Sequence, residues 1–294
     1  MNPVQTSPRH HSSRLTPDDL WPMPASPSPR IRWAFTQRAG GVSHGHCSAL
    51  PLINGKEEPT CPGSVPSHGQ RPLQDVRTPI GGGLNLGLNC GDDPRHVAIN
   101  RERVATFIGQ PVSWLTQVHG NEVLISQSGQ DGACADAQIA TVRGLALAVL
   151  VADCLPVLLA DRQGRVIGAA HAGWRGLAGG VLENTVGRMS EQAAPADLVA
   201  WLGPCIGPAA FEVGEEVREA FLQQDAGAAV AFQPRQTPGK WLADLPRLAR
   251  QRLASAGVGQ ILDSRACTWS DPARFWSYRR NPRCGRMAGL IWFA

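Results

Sequence analysis

Short apolar runs separated by glycine, proline and aspartate fill the middle of this chain, and helical periodicity appears between and after them. Residues 31–36 predict a first strand, which Gly40 and Gly41 end. Asp92-Asp93-Pro94 predicts a helix start, with Asp93 as N-cap and Pro94 at the first helical position. Val97, Arg101, Val104 and Ile108 follow at helical spacing. From 114 to 171 short strands alternate with turns. Beyond that, the pattern predicts helices over 177–192, 213–223 and 246–256, a strand over 199–203 and a terminal strand over 285–293. Without a regular βαβ rhythm, the fold class expected is α+β. Residues 1–29 are rich in Pro, Ser, Arg and His and lack periodicity, which predicts a disordered tail. A similar stretch at about 51–83 reads as an insertion that splits one folded unit, 30–294, and not as a linker between two.

Candidate chemistry sits in the central strands. Residues 152–160 (ADCLPVLLA) lead through Asp161-Arg162-Gln163-Gly164 into 165–171 (RVIGAAH), which reads as strand, turn, strand with Arg162 and Gln163 as the two loop residues. Opposed residues in such a hairpin have numbers with a constant sum. This sets Cys154 across from His171, with Cβ atoms roughly 4.5–5.5 Å apart. His119, in QVHGN, ends another predicted strand. One thiol and two imidazoles can bind a borderline-soft metal and leave its fourth position for water or substrate. A Cys in an apolar run is also commonly inert core, and a His at a strand end commonly just hydrogen-bonded, so spacing alone leaves both alternatives open.

Composition narrows the class. A hydrophobic fraction of 43 % with 18 % charged residues describes a soluble globular protein with a real core. The net charge of +4 comes without a dense basic run, so no nucleic-acid surface is indicated. The longest apolar stretch, 145–152, is far short of the roughly 20 residues that a spanning helix needs. No secretory signal opens the chain, and the eight cysteines form no C-x-x-C pair. Mostly free thiols and a cytoplasmic location are therefore expected. After His171, Gly173-Trp174-Arg175-Gly176 opens a helix in a manner that suits an anion, although it is not a Walker loop.

Six segments in order, TQVHGNEV, DAQIAT, VADCLPVLLAD, GAAHAGWRG, LGPCIGPAAFEVGEEV and SYRRNPRCGRMAGLIW, resemble the YfiH-type family. Its members have been called laccase-domain proteins, polyphenol oxidases, purine nucleoside phosphorylases and peptidoglycan editing factors. The resemblance also takes in RAGGVS, LNLG, GDDP and NRERV, and omits the insertion. It implies a single-domain α/β/β/α layered fold with mixed sheets, and a zinc site that falls here on His119, Cys154 and His171. It further implies a purine nucleoside phosphorylase acting on adenosine, inosine or methylthioadenosine, with adenosine deaminase activity. Nucleoside and phosphate would lie among Asn85, Arg101, Arg175 and Arg280. Cys154 and His171 would be catalytic as well as ligating. Asp153 would point to the opposite strand face, and serves as a proton shuttle only if the strand breaks there.

Two departures from the family stand out: the insertion, and His44-Gly45-His46-Cys47 after GGVS, which reads as a solvated loop. Three alternatives accompany the leading reading. One is a copper-dependent polyphenol oxidase. Another is an amidase editing cell-wall precursors, with Cys154 as nucleophile and His171 as base. The last is a structural zinc site completed by Cys205.

Overall fold

The central strands are buried on both faces, and the reason is that two sheets lie back to back with helices outside each. In the computed structural model, residues 14–43, 83–127 and 131–294 are described. One sheet orders β1 (Ile31–Phe35), β13 (Met287–Phe293), β5 (Ala146–Val151) and β2 (Val112–Ser113). The second orders β12 (Gln260–Asp263), β8 (Leu198–Leu202), β6 (Leu155–Asp161), β7 (Ile167–Ala172), β4 (Ala137–Ala140) and β3 (Val123–Ile125). A small third sheet is formed by β10 (Phe232–Pro234), β11 (Lys240–Ala243) and β9 (Glu212–Gly214).

Alternation along β6 shows how the layers are built. Leu158 and Ala160 face the other sheet, where Phe35, Val149 and Ile291 pack, with Trp201 of the neighbouring β8 beside them. Val157 and Leu159 face outward, against Leu182, Met189, Phe221 and Leu248. Those last four belong to α3 (Val181–Met189), α4 (Glu215–Leu222) and α5 (Leu245–Ser255), which with α2 (Trp174–Ala178) cover the six-stranded sheet. On the far side, α1 (Pro94–Ile108) lays Val104 and Ile108 on Ala148 and Leu290. The α/β/β/α layering with mixed sheets is therefore as expected.

Local chemistry accounts for most element ends. The Asp93 carboxylate accepts the Arg95 N–H and Pro94 begins α1, while Gly109 in a left-handed conformation (φ 76°) ends it. On α1 the buried polar position is Asn100, beside Val97, Val104 and Ile108, whereas Arg101 is half-buried. The helix expected over 177–192 is two helices, because Gly180 (φ 89°) turns the chain between α2 and α3. Val213, expected in a helix, lies in β9, and α4 starts after Gly214.

The hairpin register differs from the expected one. Pro156, not Cys154, pairs with His171, and Leu155 pairs with Ala172. The connection holds four residues, 162–165, because the Asp161 carboxylate folds it inward, accepting the Arg165 N–H (3.0 Å) and its guanidinium (2.7 and 3.0 Å). Gly164 takes φ 72° there. A slide of two positions keeps every side chain on its face but carries Cys154 off the end of β6, into the bend before it.

Disorder over 1–29 does not extend to the described part of that segment, 14–29. Leu15 is buried, Trp21 packs on Phe275 at 5.1 Å between centroids, and Trp33 Nε1 donates to the Pro24 carbonyl (3.0 Å). Single apolar anchors dock this stretch without any periodic pattern. Residues 44–82, which contain most of the expected insertion and the His44–Cys47 cluster, lie outside the described residues. At their borders, Ser43 and Gly83 exchange two backbone hydrogen bonds (3.0 and 2.9 Å). Asn100 fastens this junction: its Oδ1 accepts Val42 N–H (3.0 Å), and its Nδ2 donates to Ser43 Oγ (3.0 Å) and to the Gly83 and Asn85 carbonyls (3.3 and 2.9 Å).

Asn100→Ala leaves the Val42 N–H and the Asn85 carbonyl without their partner inside the fold, and each such group costs about 1–3 kcal/mol. Urea unfolding is expected to show a loss of about 2–4 kcal/mol. A midpoint unchanged from wild type would mean that Asn100 does not hold the junction.

Candidate metal centre

Asp136, the residue before β4, is fully buried and organises the site from beneath. Its carboxylate accepts backbone N–H groups of Val118 (3.0 Å), His119 (2.9 Å) and Gly120 (2.7 Å). Wrapping three successive N–H groups around one carboxylate requires a sharp turn, and His119 accordingly sits at φ 61°. The same carboxylate meets His171 Nδ1 at 2.7 Å, while the His171 N–H donates to the Asp136 carbonyl at 2.7 Å. His171 is thus held at both backbone and ring, with Nδ1 as the protonated nitrogen and Nε2 free to ligate.

Cys154 comes from the bend between β5 and β6. The bend arises at Asp153, whose φ of 90° breaks the strand and turns Cys154 toward the two imidazoles. Cys154 Sγ lies 3.9 Å from His119 Nε2, and the rings of His119 and His171 meet edge to face with centroids 4.9 Å apart. The ligand atoms of all three residues fall within 4.8 Å of one another, which suits a single ion. Gly173 closes the wall: a Cβ there would lie 3.0 Å from His119 Cδ2 and 3.1 Å from Cys154 Sγ. The expected trio is therefore brought together, though through a bend and not through a ladder pair.

Electrostatics favour the ligating forms. Burial works against the Cys154 thiolate, but His171 as a charge and both His119 and His171 as hydrogen-bond partners outweigh it and lower the pKa to about 6. Burial works against a charged His171 as well, yet the Cys154 thiolate and Asp136 raise it to about 10. Asp136 is held below the usual carboxylate range, because its bonds to His171 and to the Gly120 and Val118 N–H groups overcome burial. A cation at the centre would take the place of the proton between sulfur and Nε2.

The remaining expected residues divide. Arg175 is exposed on α2, two residues past Gly173, with its guanidinium over Trp174 at 4.7 Å. Arg101 gives its Nε to the Leu86 carbonyl (3.0 Å) and stacks over Trp114 at 4.4 Å, in the α1 layer. Asn85 is fully buried: its Nδ2 donates to the Gly87 carbonyl (3.2 Å) and Asp92 (2.8 Å), and its Oδ1 accepts Gly87 and Arg286 N–H (3.0 and 2.8 Å). Arg280 donates to the carbonyls of Thr268 (2.9 Å), Trp269 (2.8 Å) and Phe275 (2.7 Å). Asn85 and Arg280 thus have their polar groups committed to the fold. Asp153 is committed as well, accepting Thr268 Oγ1 (2.5 Å), Ser277 Oγ (2.9 Å) and Arg279 N–H (2.7 Å). The strand does break at Asp153, as a shuttle would require, but its carboxylate ties two C-terminal loops to the ligand bend.

Cys205 lies outside the trio's cluster and bridges to Cys267. Asp136, the first residue of DAQIAT, is not among the site residues expected from the sequence. The usable signal was an acidic residue at the start of a strand with no polar partner nearby in sequence, which a ligating histidine would need as its hydrogen-bond acceptor.

A family model described as multi-copper polyphenol oxidoreductase laccase matches residues 73–294. Among curated relatives, a purine nucleoside phosphorylase of Pseudomonas aeruginosa is 44% identical over 279 residues, covering 95% of this chain and 97% of its own. The purine nucleoside phosphorylase YfiH of Escherichia coli is 51% identical over 214 residues, 71% of this chain and 86% of its own. A Neisseria meningitidis protein of known crystal structure superposes with a TM-score of 0.78 at 38% identity, covering 94% of this chain and 99% of its own. Among the described residues, no helix is long and apolar enough to cross a membrane.

Two outcomes follow from this geometry. Asp136→Asn, which weakens the hold on the His171 tautomer, is expected to reduce metal affinity by about 10–100-fold in a chelator competition. An unchanged affinity would detach Asp136 from the centre. Metal uptake should also release protons, because His171 must give one up to ligate. Below its pKa of about 10 one proton leaves per metal, so affinity falls about tenfold per pH unit; below about 6 the Cys154 proton adds a second, making it about a hundredfold. Proton release that stays near zero from pH 5 to 9 would contradict this.

Proposed function

The chain belongs to the multi-copper polyphenol oxidoreductase laccase family, and on that premise we propose that it is a zinc-dependent purine nucleoside phosphorylase. Its substrates in this reading are adenosine, inosine and methylthioadenosine with inorganic phosphate, and adenosine deamination is a side activity. The observation that carries the reading is the open donor set: one thiolate and two imidazoles, His171 fixed by Asp136, and no fourth protein ligand within the cluster among the described residues. The relatives named purine nucleoside phosphorylase supply the substrate class.

The donors fit zinc. Thiolate with imidazole is a borderline-soft set, and the trio is the single cluster of its kind among the described residues, fewer ligands than a multicopper centre uses. Bound there, zinc would supply Lewis-acid chemistry at its open position. His119, Cys154 and His171 would hold it, and Gly173 leaves the first two their room, since a Cβ there would press on both. Arg175, exposed and two residues past Gly173, is the group assigned to hold phosphate for attack on the ribose anomeric carbon. Arg101 is a second guanidinium for that role, with its terminal nitrogens beyond the Leu86 contact. Since the Asp153 carboxylate is occupied by three donors, the proton for the leaving purine is assigned to solvent or another group. Five of the six cysteines among the described residues are free, Cys134 being disulfide-bonded, and this mostly reduced set suits the cytoplasm as the place of work.

A second reading draws on the same geometry. Cys154, His171 and Asp136 are also the order of a nucleophile, a base and an orienting carboxylate, which would suit amide hydrolysis. Zinc separates the two: a ligating thiolate is protected from alkylation, whereas a nucleophile that works without metal is not.

Purified protein incubated with adenosine, inosine and methylthioadenosine is expected to release base only when phosphate is present, and to carry about one zinc per chain. Cys154→Ala should lose the metal and at least about a hundredfold in activity. Arg175→Ala should raise the KM for phosphate about tenfold with a smaller change in kcat. No base release from any of the three nucleosides, or stoichiometric copper with visible absorption, would overturn the reading.

A further inference from the structure

Outside the metal-ligand trio, the segment after β8 and the loop after β12 bring two cysteines into direct backbone pairing. Cys205 and Cys267 are directly paired in a parallel bridge, with Cys205 N–H donating to the Ala266 carbonyl (3.3 Å) and Thr268 N–H to the Cys205 carbonyl (2.9 Å). Residues paired in this way send their side chains to the same face, at an interstrand spacing of about 4.7–4.9 Å. A disulfide spans Cα separations of about 4.4–6.8 Å, so the backbone is already within range.

The two thiols differ in the way a reacting and a resolving cysteine differ. Cys267 is half-buried, and its Sγ accepts the Gly207 N–H (3.2 Å) and the Ser270 hydroxyl (3.3 Å). Burial disfavours its thiolate, but these bonds and the N–H groups of Ser270 and Trp269 lower its pKa overall. Gly207 makes the cradle possible, since a Cβ there would lie 3.1 Å from the Cys267 sulfur. Cys205 is 1% exposed, and burial pushes its thiol well up. It is shielded from bulk oxidant and adjacent to the sulfur that is not.

We propose that Cys267 and Cys205 form a peroxide-oxidised thiol pair, with Cys267 reacting first and Cys205 closing a disulfide with it. The Cys267 thiolate attacks one oxygen of hydrogen peroxide; the S–O bond forms as the O–O bond breaks, and the departing hydroxide takes a proton to become water. The Cys205 sulfur then attacks the sulfenic sulfur; the S–S bond forms as the S–O bond breaks, and the Cys205 proton leaves with the hydroxide as a second water. The two sulfurs are oxidised by two electrons in total and the peroxide is reduced; a reducing thiol reverses the bond. The pair shares a knot with the metal ligand loop, because Ile206 N–H donates to the Asp153 carbonyl (2.9 Å) and Thr268 Oγ1 to its carboxylate (2.5 Å).

The test uses the full chain loaded with zinc, treated with hydrogen peroxide, alkylated and digested with trypsin without reduction. Peptides 189–218 and 266–274 each hold one cysteine, Cys205 and Cys267. They are expected to appear linked, two hydrogens lighter than their sum. Cys267→Ser should abolish the linked species, and Cys205→Ser should leave Cys267 as a sulfenic acid that a 1,3-dione traps. In the reduced protein, Cys267 should be alkylated at least about tenfold faster than Cys205. Recovery of both peptides separately alkylated, at peroxide doses that oxidise other thiols of the chain, would overturn the proposal. So would failure of the 1,3-dione to label Cys267 in Cys205→Ser. None of these readouts depends on the enzymatic reading.

Discussion

One buried carboxylate carries the site. Asp136 takes three backbone N–H groups from residues 118–120 and one ring nitrogen from His171, with no exposure to solvent. A carboxylate in that position would be costly without those donors, and with them it stays ionised. The consequence is geometric: the loop that carries His119 and the strand that carries His171 are clamped to the same two oxygens. One carboxylate thus holds the backbone of His119 and the ring of His171, and sets the His171 tautomer that ligates.

A second carboxylate places the sulfur. Asp153 turns the chain between β5 and β6 by adopting a left-handed φ of 90°, and accepts Thr268, Ser277 and Arg279 in doing so. The strain of that conformation in a non-glycine residue is offset by bonds from the C-terminal loops, far away in sequence. Cys154 is therefore positioned by the last part of the chain as much as by its own strand. Substitutions around Ser277 or Thr268 would reach the metal centre through this route without touching it.

Legibility in the sequence follows the range of the interactions. Asp93 and Pro94 mark the start of α1 because capping is a contact two residues long, and the terminal strand is recognisable from a continuous apolar run. Grouping of the trio was also legible, but its stated cause, a ladder pair, was not the real one. Asp161 closes a four-residue connection with its side chain and slides the hairpin by two positions, which no turn statistic on Arg162-Gln163 encodes. Residues 14–29 order themselves through contacts such as Trp21 on Phe275, made by partners more than two hundred residues away. Asp136 stayed hidden for the same reason, since its four donors come from two separate segments. Asn85 and Arg280 were selected by their motif and not by their surroundings, and the surroundings use their polar groups structurally.

Everything proposed for the site rests on a centre with one sulfur, two imidazoles and one open position. X-ray absorption at the metal edge of the purified protein reads that coordination directly. The result predicted is one sulfur at about 2.3 Å with two imidazole nitrogens at about 2.0–2.1 Å and one further light atom. A shell with two or more sulfurs, or with none, would contradict it.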